Sequence, residues 1–305
     1  MNMWKKLSSR TVPAAEAFLQ EQEPYCAGAS FRFITRTNQD HIWIAGKTRP
    51  WGILIYTRRI LYPVFRRQDR EGPAPAENPS PGSGAAGHGP QKDTGLPRFF
   101  SFLLDRRPLH AMQGLAANMD LLEPVLERKG LAAPEKYDYE LRILNRQGPG
   151  GKAPGVGTFY SPPRGLVIRR PLPPDMEGIF PLQRGYEQEE VLPKRAVFNA
   201  AACRKSLEQM ISAEMILIAE LGGTPVGKIN INARAFTCLQ IGGVYVLPQF
   251  RNRGIAQALT AEIIRRLEPL KKKFTLFVKK TNGPARRVYD NTGFVKIADY
   301  RINYY

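Results

Sequence analysis

The chain is poor in cysteine, histidine and acid, and it has no long apolar run. Of its 305 residues only 3 are Cys and 3 are His. Cys26, Cys203 and Cys238 are too widely spaced for a zinc knuckle or a disulfide framework, so they read as small buried hydrophobes in a reducing compartment. No metal site is expected, and His88 stands alone in a loop. No apolar stretch approaches the ~20 residues that a bilayer needs. The opening Met1-Asn2-Met3-Trp4-Lys5-Lys6 turns polar at Ser8, Ser9 and Arg10, where a secretory signal would turn apolar. A cytoplasmic location with no membrane partner is the expectation. Acid is scarce: 27 acidic residues face 45 basic ones, a net charge of +18. Up to residue 150 there are 21 basic and 15 acidic residues, and beyond it 24 and 12, so the excess sits in the second half. Such a field favours polyanions, including nucleotides that carry several phosphates.

What is present suffices for two globular units, because 43% of the residues are hydrophobic and the length exceeds the roughly 100 to 200 residues of one domain. Residues 72–96, dense in Pro, Gly, Ser and Ala, read as a flexible surface insertion within the first unit. A second soft stretch, Gln147 to Gly157, puts the boundary near residue 160, giving units 1–160 and 161–305. In the first, a helix is expected around Ala14 to Gln22 and another near Met119 to Lys129. His41 to Ala45 and Ile53 to Tyr56 read as a hairpin, and Tyr137 to Leu144 as a strand. Arg58, Arg59, Arg66, Arg67 and Arg70 read as a solvated face. The second unit alternates β, α, α, β, β, β, α, β, α, β, which predicts an α+β fold, a mixed and mostly antiparallel sheet flanked by helices.

The segment Gly242 to Leu259, GGVYVLPQFRNRGIAQAL, carries the chemistry. A β run meets a Pro-led turn, then a basic, Gly-containing loop that opens directly into a helix. The first N–H groups of a helix lack intrahelical partners and carry partial positive charge, so an anion docking there gains hydrogen bonds and a favourable dipole. Gly254 lets the backbone approach closely, Ala256 is too small to shield the amides, and Arg251 and Arg253 add charge. The pattern fits a pyrophosphate cradle. It is not a Walker loop, for no Gly-Lys-Ser/Thr ends it, and the Rossmann spacing is missing.

Arg251-Asn252-Arg253-Gly254-Ile255-Ala256 resembles the Gln/Arg-x-x-Gly-x-Gly/Ala signature of the GNAT superfamily of acyl-CoA-dependent N-acyltransferases. Asn282, Ala285, Tyr289, Gly293 and Phe294 are similar to its downstream Asn-x-x-Ala-x-x-x-Tyr-x-x-x-Gly-Phe segment. The likeness spans about residues 166 to 305. It implies a strand that splays from its neighbour and pairs through Val244, Tyr245 and Val246 with the pantetheine arm, with a bulge at Gly242 and Gly243 starting the splay. It implies pyrophosphate binding by the amides of Asn252, Arg253, Gly254, Ile255, Ala256 and Gln257, with Asn282 further along the cofactor. Tyr289 would give a proton to the departing thiolate. Two positions where family members carry a carboxylate base hold Gln240 and Phe277 instead. Glu187, Glu189 and Glu190 are the remaining choices for a base acting through water.

Trp43 to Tyr56 echoes Leu217 to Asn232, a strand ending in Ile-Ala, a turn with Pro, a Gly and another β run. A tandem arrangement follows, with a degenerate N-terminal GNAT-like lobe and an active C-terminal one. The expected function is N-acetyl transfer from acetyl-CoA to a primary amine of a small molecule, peptide or protein lysine, by a monomer or homodimer. A non-catalytic acyl-CoA-binding module is the alternative. Nucleic-acid binding ranks last, because the basic runs lack aromatic interleaving and any recognised binding motif.

Overall fold

The computed structural model describes residues 3–46, 49–67, 95–145 and 163–305. Most of the 72–96 insertion, His88, Arg70, the 147–157 stretch and the boundary at residue 160 lie outside them. The exceptions are Gly95 and Leu96, which cap and open a helix.

In chain order the first half gives β1 (Trp4–Lys6), α1 (Val12–Ile34), β2 (His41–Ala45), β3 (Gly52–Thr57), β4 (Ile60–Phe65), α2 (Leu96–Leu104), β5 (Ala111–Leu115), α3 (Ala116–Asp120), α4 (Glu123–Arg128) and β6 (Glu135–Leu144). The second half gives β7 (Leu166–Arg169), α5 (Met176–Tyr186), α6 (Ala200–Ser212), β8 (Ile216–Leu221), β9 (Thr224–Arg234), β10 (Cys238–Val246), α7 (Ile255–Leu267), β11 (Lys273–Lys279), α8 (Gly283–Asn291) and β12 (Phe294–Tyr304). The expected hairpin is β2–β3, paired from His41↔Tyr56 to Ala45↔Gly52.

Helix α1 runs twelve residues beyond the expected end at Gln22. Pro13 suits its first turn. Pro24 then removes an internal N–H, and the chain kinks at Cys26 (φ −142°, ψ 28°) before winding on. Burial of Ala15, Phe18, Leu19, Ala29 and Phe33 against β2, β3 and β4 holds the two pieces as one element. The helix expected near Met119 to Lys129 is two short ones, α3 and α4. Arg66 and Arg67 depart from the solvated-face expectation, for Arg66 pairs with Glu21 and Arg67 lies 4.0 Å over the Tyr25 ring.

Among the described residues, all twelve strands form one sheet in the order β1-β2-β3-β4-β5-β12-β6-β11-β10-β9-β8-β7. Read inward from either edge the two ends repeat one design: three antiparallel neighbours, then a parallel pair, β4–β5 on one side and β10–β11 on the other. At the centre the final strands are exchanged. Strand β6, from the first half, pairs with β11, and β12, from the second, pairs with β5. They also pair with each other over most of their length, from Phe294↔Leu144 to Tyr304↔Glu135. The C-terminal core lies between the sheet and α7 and α8, built on Ile229, Ile241, Leu259, Ile263 and Phe274. Helices α5 and α6 cover the opposite face.

Helix α1 reaches the second half through Glu23. Its fully buried carboxylate accepts hydrogen bonds from Phe236 N–H (2.8 Å), Thr237 N–H and the Thr237 hydroxyl (2.5 Å), at the turn between β9 and β10. Those donors sit where the strands end and would otherwise be unpaired.

Candidate active site

Strands β10 and β11 run side by side only over Cys238↔Lys273, Leu239↔Phe274 and Gln240↔Thr275. Beyond that point β10 stays with β9 as far as Val246↔Gly227, while β11 stays with β6 as far as Lys279↔Tyr139. The two backbones therefore part, leaving an edge of peptide groups on each side of a gap. The parting coincides with a register shift between Gly242 and Tyr245, and Gly243 has φ +58°. A β-carbon at Gly242 would collide with Asn232, and one at Gly243 with Asn230. Two glycines in succession are thus what permits the bulge.

A ladder of polar side chains along β9 supports it. Lys228, Asn230 and Asn232 alternate with buried Ile229 and Ile231, so all three face the same side. Lys228 has no solvent exposure; its Nζ donates to Gly243 O (2.9 Å) and Asn230 Oδ1 (3.0 Å) and lies 4.5 Å from the centre of the Tyr186 ring. Asn230 Nδ2 donates onward to Asn232 Oδ1 at 2.6 Å. Burial brings the Lys228 ammonium down to a pKa of about 7, with the Glu187 charge opposing.

The gap opens into a cleft of about 1260 Å³. At its mouth a 3₁₀ turn, Pro248–Phe250, leads to Arg251, then Asn252 (φ +60°) and Gly254 (φ +71°), after which α7 begins. Two left-handed residues in so short a loop aim the first turn of α7 back at the end of β10. Arg251 Nε donates to Val246 O at 3.0 Å, tying the loop to that strand. Its other nitrogen pairs with Glu189 at 2.8 Å. Of the expected cofactor residues, Val244, Tyr245, Val246, Arg251, Asn252, Gly254, Ile255, Ala256, Gln257 and Asn282 line the cleft. Arg253 does not; its guanidinium lies 5.4 Å over the Phe250 ring.

Tyr289 and the three glutamates also line the cleft. Tyr289 is buried, edge-on to Phe294 at 6.0 Å. Burial, with the neighbouring Tyr186 and Glu190 charges, pushes its phenol well above the usual range, so it keeps its proton at neutral pH. The carboxylates sit on a π-helical extension of α5, Glu187–Val191, and differ in their commitments. Glu189 accepts from the Tyr245 hydroxyl (2.5 Å) and from Arg251. Its desolvation is outweighed by those two bonds, and its pKa falls. Glu190 accepts from Asn282 Nδ2 (3.1 Å) and pairs with Lys279 (3.3 Å). Glu187 accepts from Gln183 Nε2 (2.9 Å). Asn282 does double duty, since its Oδ1 also caps α8 by accepting from Ala285 N–H at 3.0 Å. Tyr186, not singled out from sequence, stands at the same face; burial raises its phenol to about 12, with the Gly243 amide and Asn232 opposing.

The corresponding parallel pair of the first half is shut. Strands β4 and β5 pair at Ile60↔Ala111 and Leu61↔Met112, and then Asn118 Nδ2 donates to Pro63 O (3.2 Å) where a gap would open. A β-carbon on Gly114 would stand 3.2 Å from that same carbonyl, so β5 presses against β4 there. The space left is about 10 Å³, at the threshold for one water.

Comparison with known proteins agrees with this geometry. The sequence model of the acetyltransferase (GNAT) family matches residues 182–294. No curated protein matches in sequence. Among solved structures, a GCN5-related N-acetyltransferase from Sphaerobacter thermophilus is similar with a TM-score of 0.60 at 16% identity, over 98% of this chain and 94% of that one. A tandem GNAT protein from the clavulanic acid biosynthesis pathway is similar with a TM-score of 0.60 at 11% identity, over 98% and 97%. A Drosophila protein reaches 0.64 at 13% identity, over 100% and 99%. Residues 182–294 are thus a domain of the GNAT acetyltransferase family, carried in a chain that has the tandem GNAT fold throughout.

Proposed function

We propose that the C-terminal lobe transfers the acetyl group of acetyl-CoA directly to a primary amine. The observation that carries this reading is the parting of β10 and β11 at a double-glycine bulge, with the N-terminus of α7 at its mouth. The free edges of Val244 to Val246 suit a ligand that bears its own amides, and the first turn of α7 suits a diphosphate. Amine attack forms a C–N bond and drives charge onto the thioester oxygen, where the Val244 or Val246 N–H would meet it. Collapse breaks the C–S bond, and the proton of Tyr289 goes to the leaving sulfur. The acceptor's own proton leaves through water toward Glu190 or Glu187. Glu189, held by two partners, serves instead to anchor Arg251.

Thiol release from acetyl-CoA, followed over a panel of amines, tests the reading. Tyr289→Phe should lower kcat by about 10²-fold, within the usual range for general acid catalysis, with little change in the Kd for coenzyme A. A variant as fast as wild type would remove Tyr289 from the role. Gln240 and Phe277 standing where a strand-borne base would sit favour the second reading, an acyl-CoA-binding module. Tight coenzyme A binding with no thiol release across the panel would select it.

A further inference from the structure

The cleft does not end at the C-terminal lobe. Its far wall comes from the first half: Gly28 and Arg32 on α1, Tyr62 on β4 and Gln113 on β5. Gly28 lies where a β-carbon would be 3.4 Å from Gln240 Oε1, so α1 crosses β10 where the strands part. Arg32 is one helical turn further along and on the same face. Gln240 lines the cleft, and among the described residues its side-chain amide makes no hydrogen bond, so it is open to a ligand there.

Charge on the two walls is unequal in kind. Glu189 and Glu190 are ion-paired, to Arg251 and Lys279. Glu187, on the C-terminal wall, has no ion pair among the described residues. Neither has Arg32 on the N-terminal wall. The half-buried Arg32 lines the cleft and donates through Nε to the Tyr62 hydroxyl at 3.4 Å, its two terminal nitrogens make no hydrogen bond among the described residues, and Asp40 feels its charge from beyond ion-pair distance. Between the walls run three uncharged rings from the exchanged centre of the sheet, Phe277 stacked on Tyr300 at 5.0 Å and edge-on to Tyr139 at 5.5 Å. A guanidinium fork without a carboxylate partner is matched to a planar or tetrahedral anion.

We infer that the acceptor is an amine that also carries an anionic group, its ammonium toward Glu187 and its anion held by Arg32 with help from Gln240. The N-terminal lobe, whose own gap is shut, thereby supplies acceptor specificity. This rests on the acetyl-transfer reading for its turnover arm only. The experiment pairs ω-aminocarboxylates of increasing length with their carboxamides, adds one aminophosphonate, and uses wild type, Arg32→Gln and Arg32→Lys. The expected result is at least tenfold higher kcat/KM for an acid or phosphonate than for the matched amide. Arg32→Gln abolishes that preference mainly through KM, and Arg32→Lys recovers part of it. Acids and amides used equally by wild type, or lowered alike by Arg32→Gln, overturn the inference while transfer stands. Calorimetry with the coenzyme A-loaded protein separates the two readings: acid binding that is lost in Arg32→Gln without any thiol release upholds the anion site and sinks transfer.

Discussion

Lys228 is the residue whose environment departs furthest from that of a surface lysine. It spans two strands, from β9 to the carbonyl of the bulge glycine, in complete burial. Its folded-state pKa of about 7 lies below the ordinary 10.5. Between those values the unfolded chain holds a proton that the folded chain does not. Stability therefore rises with pH across that window and is lost as pH falls toward 7, at up to about 1.4 kcal/mol per unit. Lys228→Met should flatten this contribution. Urea unfolding at pH 7, 8 and 9 gives the wild-type-minus-variant slope, and equal slopes would reject it. Glu23 offers a second test. Glu23→Ala strands the Phe236 and Thr237 N–H groups, each worth about 1–3 kcal/mol when left unpaired, so a loss of about 2–4 kcal/mol is expected in the same assay. Glu23→Gln, still able to accept, should lose less. All three thiols are raised by burial, Cys26 and Cys203 to about 12 and Cys238 to about 11, which fits inert packing.

At the scale of elements, the bulge in β10 decides whether a gap exists. Gly243→Ala imposes a left-handed conformation that costs a non-glycine residue roughly 1–2 kcal/mol, and adds a collision with Asn230. A lower Tm together with at least a tenfold weaker Kd for coenzyme A is expected. A variant that melts earlier but binds normally would separate bulge from site. The elements of the second half were legible because apolar alternation and turn signals such as Gly222-Gly223-Thr224-Pro225 coincide there. Those of the first half were less so. Strand β4 contains Pro63 and β5 contains Gly114, residues that argue against strands locally and are tolerated here only through pairing with neighbours. Pro24 likewise reads as a stop, which hid the second part of α1, and with it Arg32. The signature loop was legible from spacing alone. Lys228 was not singled out, although Lys228-Ile229-Asn230-Ile231-Asn232 has the period-two pattern that puts three polar groups on one face.

For the whole molecule the exchange of β6 and β12 matters most. No local pattern in either strand names its partner, so the exchange was invisible in sequence. It has a testable result. A fragment of residues 163–305 would lack β6 between β11 and β12 and would expose two strand edges. It should aggregate or melt well below the full chain, and adding residues 1–145 in trans should recover soluble, coenzyme A-binding complex. A fragment that melts like the full chain would show that the exchanged strands are dispensable. The same exchange sets a schedule during synthesis. β6 emerges from the ribosome before either of its partners, and β5 waits beside an empty berth until β12, the last strand of the described residues, is made. The lobe built on β7 to β11 already has β6 to hand once β11 is made, whereas the lobe built on β1 to β5 closes only when β12 arrives, so its completion is the last event.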